Sequence, residues 1–183
     1  FGAGVGGGES VFGGTPDITC LGRVVGGGRP VGAYGGSADI MNTVAPLGPM
    51  YQAGTLSGNP VAMAAGVATL EELGKPGGYV ELDRKGAALA KGLGEAFAEA
   101  EVPARVNRVG SLLTIFFTGE PVTDMGSASA TDRDRFAKFF HAIVQEGVYP
   151  PPSQFEAWFV SLAHTDQDIT DTIAAAKRAL ASI

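Results

Sequence analysis

A single cysteine, Cys20, stands among 183 residues, so no intramolecular disulfide can staple this chain. Histidine is nearly as scarce. His141 and His164 are the two present, and neither has a second ligand at metal-binding spacing, so zinc-type chemistry lacks its donor set. No apolar run approaches the ~20 residues that a membrane helix needs. Basic runs that could follow a phosphate backbone are missing too, since 13 Lys and Arg face 19 Asp and Glu for a formal charge of −6. That balance argues against a nucleic-acid partner. No signal peptide opens the sequence, and the expectation is a cytoplasmic protein. With 45% hydrophobic and 17% charged residues, the chain can bury a sizeable core in one or two domains.

Glycine is abundant instead, 28 in all and concentrated before residue 40, which predicts a loop-built amino-terminal part. The opening, Phe1 to Gly8, has no Met, no preceding strand and no helix start, and reads as the interior of a longer protein. Gly2, Gly4 and Gly7 satisfy G-x-G-x-x-G, but a dinucleotide fingerprint needs a strand before it and a helix after it. A plain glycine loop is the better reading.

Pro16 to Gly36, PDITCLGRVVGGGRPVGAYGG, joins a short apolar strand to a triple glycine and a Gly-rich turn. Its glycines allow positive φ and close approach to a ligand or another chain. Arg23 is placed at the end of a buried β-run, where its side chain would project into a cleft. From Val31 to Met50 the pattern is turns with one short helix from Ser37 to about Met41. Asn59 and Pro60 form an N-cap and first-turn proline, predicting a helix to about Leu73 that Gly74 to Pro76 end. Small residues Val61, Ala64, Ala65 and Ala68 would let that helix pack closely. The turn Gly54 to Gly58 ahead of it can offer backbone N–H groups and a hydroxyl to a phosphate, although an ordinary capped turn has the same sequence.

Beyond Pro76 the composition shifts, predicting a domain boundary. Tyr79 to Ala100 reads as an amphipathic helix with Leu82, Leu89, Leu93 and Phe97 inward and Lys85 among the polar positions. Arg105–Val109 and Leu112–Phe117 read as strands, the second central. Gly119 to Ala130 reads as a polar loop, Thr131 as the cap of a helix over Asp132–Glu146, and Val160–Leu162 as the last strand. Thr165 caps a final helix with Ile169, Ile173, Ala176 and Leu180 buried. Glu156, beside Phe155 and Trp158, is either a solvated edge carboxylate or a group aimed into a pocket. His141 and His164 read as structural, the latter hydrogen-bonding within a turn.

Three blocks in order, Pro16–Gly36, Gly48–Pro60 with its GTLSGNP ending, and Ser153–His164, resemble the glutamate-1-semialdehyde 2,1-aminomutase family of class III aminotransferase-like enzymes. The resemblance covers essentially the whole chain. It implies an α/β fold, the carboxy-terminal part of a fold-type-I transferase, with residues 1–75 ending a large cofactor domain and 76–183 forming a small α/β domain. It implies pyridoxal 5'-phosphate as cofactor, and conversion of glutamate-1-semialdehyde to 5-aminolevulinate in tetrapyrrole (porphyrin) biosynthesis. Arg23 matches the lysine that links to the cofactor. Gly54 and Thr55 match cofactor-binding positions, Glu156 a substrate-facing one, and the active site is shared across a homodimer. By the same resemblance the sequence begins after the strand bearing the aspartate for the cofactor's ring nitrogen. A guanidinium stays protonated and delocalised, so Arg23 cannot form the covalent link, and this chain is expected to be a partial, inactive form. A non-catalytic dimerising or binding relative and an ordinary class III aminotransferase are the alternatives.

Overall fold

The computed structural model describes residues 2–183, which divide into two compact units, one ending at Gly78 and one spanning Tyr79–Ile183. Phe1, part of the expected glycine loop, lies outside the described residues. Residues 2–6 are loop and turn as expected, but the loop's end differs, because Gly7–Phe12 form a short helix, α1, with Ser10 Oγ donating to the Gly7 carbonyl at 2.9 Å. Glu9 to Phe12 supply side chains that restrict the backbone, and Gly13, at φ 74°, ends the helix.

Strands β1 (Ile18–Leu21) and β2 (Ala33–Gly36) pair antiparallel from Ile18 opposite Gly36 to Leu21 opposite Ala33. β2 falls where the sequence predicts only turns. Ladder hydrogen bonds need no side chain, so pairing overrides the weak strand preference of Ala33-Tyr34-Gly35-Gly36. The pair is also less buried than a core β-run: Ile18 is 48% exposed, as expected for a two-stranded ribbon. Helix α2 (Ala38–Met41) follows, with the Ser37 hydroxyl accepting from the Ile40 N–H at 3.4 Å. Helix α3 (Pro60–Leu73) begins as predicted, with Asn59 Oδ1 accepting from the N–H groups of Val61 (3.1 Å) and Ala62 (3.2 Å), and Gly74 is its C-cap. Its packed face is Ala62 and Gly66, whereas Val61, Ala64 and Ala68 of the predicted small-residue set are exposed.

The second unit contains α4 (Gly78–Glu99), β3 (Arg105–Val109), β4 (Leu112–Phe116), α5 (Met125–Ser129), α6 (Arg133–Gln145), β5 (Trp158–Phe159) and α7 (Asp166–Leu180). Its sheet runs β3-β4-β5, antiparallel throughout, with β4 central as predicted. Leu113, Ile115 and Phe117 alternate onto the core side and meet Leu89, Leu93 and Phe97 of α4, Phe139 and Ile143 of α6, and Ala176 and Leu180 of α7. The rings of Phe97, Phe117 and Phe139 sit 5.5, 5.7 and 5.6 Å apart, edge-on or tilted, as aromatic quadrupoles prefer.

Three local expectations shift. The polar loop contains α5, closed by a capping box between Asp124 and Ser127. Asp132, not Thr131, caps α6 by accepting from the Arg135 N–H at 2.8 Å, because Thr131 is buried with its hydroxyl donating to the Ala128 carbonyl at 2.8 Å. The last strand is Trp158–Phe159 and not Val160–Leu162: Val160 adds one hydrogen bond to Ser111 (3.1 Å), and then the chain turns at Ser161. Among the described residues, no helix is long and apolar enough to cross a membrane.

Candidate functional site

In the first unit the glycine turn and α3 build one site. Strand β1 stops at Leu21, and residues 23–28 form a turn in which Val24 takes φ 78° and Gly28 φ 84°. A β-branched residue in the left-handed region costs roughly 1–2 kcal/mol, which the turn's packing must offset. That packing is close. A Cβ on Gly66 would stand 2.6 Å from the Val25 carbonyl oxygen, and one on Gly27 would stand 2.5 Å from the Ala65 carbonyl oxygen. Two glycines in register thus let the turn lie directly on α3, and sequence reasoning, which looked for small residues at other positions of α3, missed this contact.

Beside this contact lies a cavity of about 680 Å³ whose lining includes Val25, Val31, Thr55, Ser57, Met63 and Val67, with Gly54 also on its wall. The Ser57 N–H donates to the Gly54 carbonyl at 2.9 Å, forming a turn in which the Thr55 and Leu56 N–H groups make no main-chain hydrogen bond among the described residues. Thr55 is exposed, so a hydroxyl and two amides are available to an anionic oxygen. Gly54 and Thr55 are therefore brought together with the glycine segment. Arg23 is exposed on the turn after β1, two residues past its strand's end, and is not among the cavity's lining residues.

Glu156 belongs to the second unit and is exposed, its N–H donating to the Ser153 carbonyl at 3.1 Å. His164 does act in a turn: its Nδ1 accepts from the Ser161 N–H at 2.9 Å. His141 is exposed on α6 with its ring edge-on to Phe140. Lys85 departs from expectation, because it is buried and its Nζ donates to the carbonyls of His164 (2.6 Å) and Leu162 (3.4 Å). The signal was legible in its spacing, since position 85 falls between Leu82 and Leu89 on the apolar stripe. Around it, hydrogen bonds from Arg84 first, then its charge and Lys85, hold the Glu81 carboxyl down at about 2. Asp168 is likewise lowered, chiefly by the Thr165 N–H of the α7 capping box.

A glycine-cushioned turn beside a hydroxyl-bearing cavity invites comparison with known proteins. The family model described as aminotransferase class-III matches residues 2–180. The chain belongs to the class-III aminotransferase family. Among class-III members, the glutamate-1-semialdehyde 2,1-aminomutase of Thermomicrobium roseum is 56% identical over 183 residues, all of this chain and 43% of that protein. The enzyme of the same description from Desulfatibacillum aliphaticivorans is 54% identical over 176 residues, 96% of this chain and 41% of its own length. A solved omega-transaminase from Sphaerobacter thermophilus has the same class-III architecture at TM-score 0.86 and 30% identity, over 98% of this chain and 42% of that one. This class-III chain thus spans less than half the length of the relatives it matches.

Proposed function

We propose that this chain is the carboxy-terminal part of a glutamate-1-semialdehyde 2,1-aminomutase, with residues 1–75 closing the large cofactor domain and 76–183 forming the small domain. The observation that carries this reading is the 56% identity over 183 residues to an aminomutase. Pyridoxal phosphate, when bound, supplies an aldehyde carbon that takes up an amino group and returns it to the neighbouring substrate carbon. The residues present fit that group in part. The Gly54-Thr55 turn, with its open amides and hydroxyl, suits a phosphate, each charge-assisted hydrogen bond there being worth ~1.5–3 kcal/mol. Arg23 does not fit the covalent role, since a guanidinium has no free amine to offer, and no step is derived through it. In this reading Glu156 faces the substrate, Thr55 serves the cofactor phosphate of a second subunit, and the protein works as a homodimer in the cytoplasm.

Two experiments test it. Incubation of the chain with pyridoxal phosphate, borohydride reduction and peptide mapping should leave residues 21–25 unlabelled. A label there overturns the role assigned to Arg23. The segment of the T. roseum enzyme that this chain does not match should then be joined ahead of Arg23→Lys. That protein should convert glutamate-1-semialdehyde to 5-aminolevulinate, while the same fusion with Arg23 should not. Amino transfer between two separate substrates would make it an ordinary aminotransferase, and failure of the Arg23→Lys fusion to retain cofactor would make it a binding module.

A further inference from the structure

The second unit keeps one buried side-chain oxygen without a hydrogen-bond partner among the described residues, Oε1 of Gln154. Gln154 is only 3% exposed, and its Nε2 is already committed to the Ala128 carbonyl at 3.3 Å. A buried acceptor left unmade is costly, so a native structure that keeps one calls for an explanation. The same residue lines a cavity of about 310 Å³ together with Asn107, Thr114, Phe116, Asp124 and Met125. Thr114 and Phe116 alternate with the core-facing Leu113, Ile115 and Phe117, so the cavity opens on the sheet face turned away from α4, α6 and α7, beside α5.

The polar groups around this cavity include several acceptors, beside the hydroxyls of Thr114 and Thr123. Asn107 spends its Nδ2 on the Val122 carbonyl at 2.8 Å, which leaves its amide oxygen. Asp124 is held ionised by hydrogen bonds from the Ser127 N–H and hydroxyl, which lower its carboxyl below the usual range. Phe116, Val122 and Met125 supply an apolar wall. Acceptors of net negative charge beside apolar carbon select a ligand that carries several N–H donors on a short alkyl body.

We propose that this cavity binds a primary alkylammonium ion, with its N–H groups donating to Gln154 Oε1 and to the Asn107 and Asp124 oxygens, and its alkyl part lying against Phe116 and Met125. The Gln154 terminal torsion is soft, and the rotation that presents Oε1 to the ligand gives up the 3.3 Å bond to Ala128, whose carbonyl keeps the Thr131 hydroxyl at 2.8 Å. The site does not involve Arg23 or Thr55, and its test needs no bound cofactor.

The probe is n-propylammonium chloride, titrated at constant ionic strength into the ¹⁵N-labelled 183-residue chain while the side-chain amide signals of Gln154 and Asn107 are followed. Saturable shifts of both are expected. Tetramethylammonium, which has charge but no N–H, and 1-propanol, which has no charge, should leave both signals unmoved. Gln154→Leu should weaken propylammonium binding at least about tenfold through the lost acceptor. Asp124→Asn keeps a competent helix cap and should weaken binding by ~two- to fivefold, the range of an exposed ion pair. Absent or non-saturable shifts overturn the proposal, as do equal shifts with tetramethylammonium or 1-propanol, or undiminished binding by Gln154→Leu. Should Gln154→Leu fail to fold, the comparison of the three probes on the unaltered chain decides the matter alone.

Discussion

Lys85 ties α4 to the turn ahead of α7 through two carbonyls, and its Nζ also lies 3.4 Å from Glu81 Oε1. Its stem fills core space between Leu82 and Leu89, so the side chain stabilises by packing as well as by hydrogen bonding. Lys85→Ala should cost ~2–4 kcal/mol in urea unfolding, and Lys85→Met, which restores the stem's volume, should fall between that variant and the unaltered chain. Equal stability of all three would mean that the turn needs no anchor. Glu81 adds a pH dependence of known sign. Its folded pKa is depressed from 4.5 to about 2, so its contribution is complete above the unfolded value and is lost as pH falls through the folded one. Urea midpoints measured from about pH 6 down to about pH 2 should therefore decline, and decline less in Glu81→Gln. Identical slopes would assign the acid sensitivity to other carboxylates, Asp124 and Asp168 first, since both are also lowered.

Helices offer a paired test of close approach against open space. Gly66 of α3 lies under the Val25 carbonyl, so Gly66→Ala forces backbone apart and should destabilise the first unit by ~1–3 kcal/mol. Gly94 of α4 is exposed with nothing near its Cβ position, so Gly94→Ala should stabilise the second unit by ~0.5–1 kcal/mol through helix propensity alone. Thermal or urea unfolding of the two variants separates these effects, and a shift of the same sign in both would refute the contact. The helices with strong end signals were legible from sequence: Asn59-Pro60 opens α3 and Thr165 opens α7, because a cap acts through its own neighbours. Strand β2 and helix α5 were not, since one is held by pairing to a distant segment and the other is a single capped turn in a Gly- and Ser-rich stretch. Asp132 competed with Thr131 for one cap, and only the burial of Thr131 decides between them. Within the site, the Gly54-Thr55 turn was legible as a turn ahead of α3. The glycine contact beside it and the burial of Gln154 depend on which faces meet, which no single-chain pattern states, whereas the place of Lys85 on the apolar stripe of α4 did signal its burial.

At the scale of the molecule, the first unit exposes Leu47 (78%), Tyr51 (84%) and Leu56 (66%) on either side of the Gly54-Thr55 turn, more apolar surface than a solvated loop needs. A second copy of the protein covering these side chains would explain them and would bring Thr55 toward the partner's cofactor. In the fusion carrying Arg23→Lys, Tyr51→Asp should shift sedimentation from dimer to monomer, and an unchanged dimer would place the contact elsewhere. Thr55→Val should weaken cofactor affinity by about one to two orders of magnitude, because one charge-assisted hydrogen bond on a phosphate is lost. Mixed dimers then assign the hydroxyl to a chain. One subunit carries Thr55→Val with Lys at position 23, and the other carries Thr55 with Arg23, so only the first can link covalently to cofactor. If Thr55 acts across the interface, the single linkable site receives an intact hydroxyl from its partner and holds cofactor with normal affinity. If Thr55 acts within its own chain, that same site lacks the hydroxyl, and its affinity falls as far as in the Thr55→Val homodimer. A spectroscopic titration of the mixed dimer separates the two outcomes, and the second would sink the shared-site reading while leaving Thr55 as a phosphate ligand.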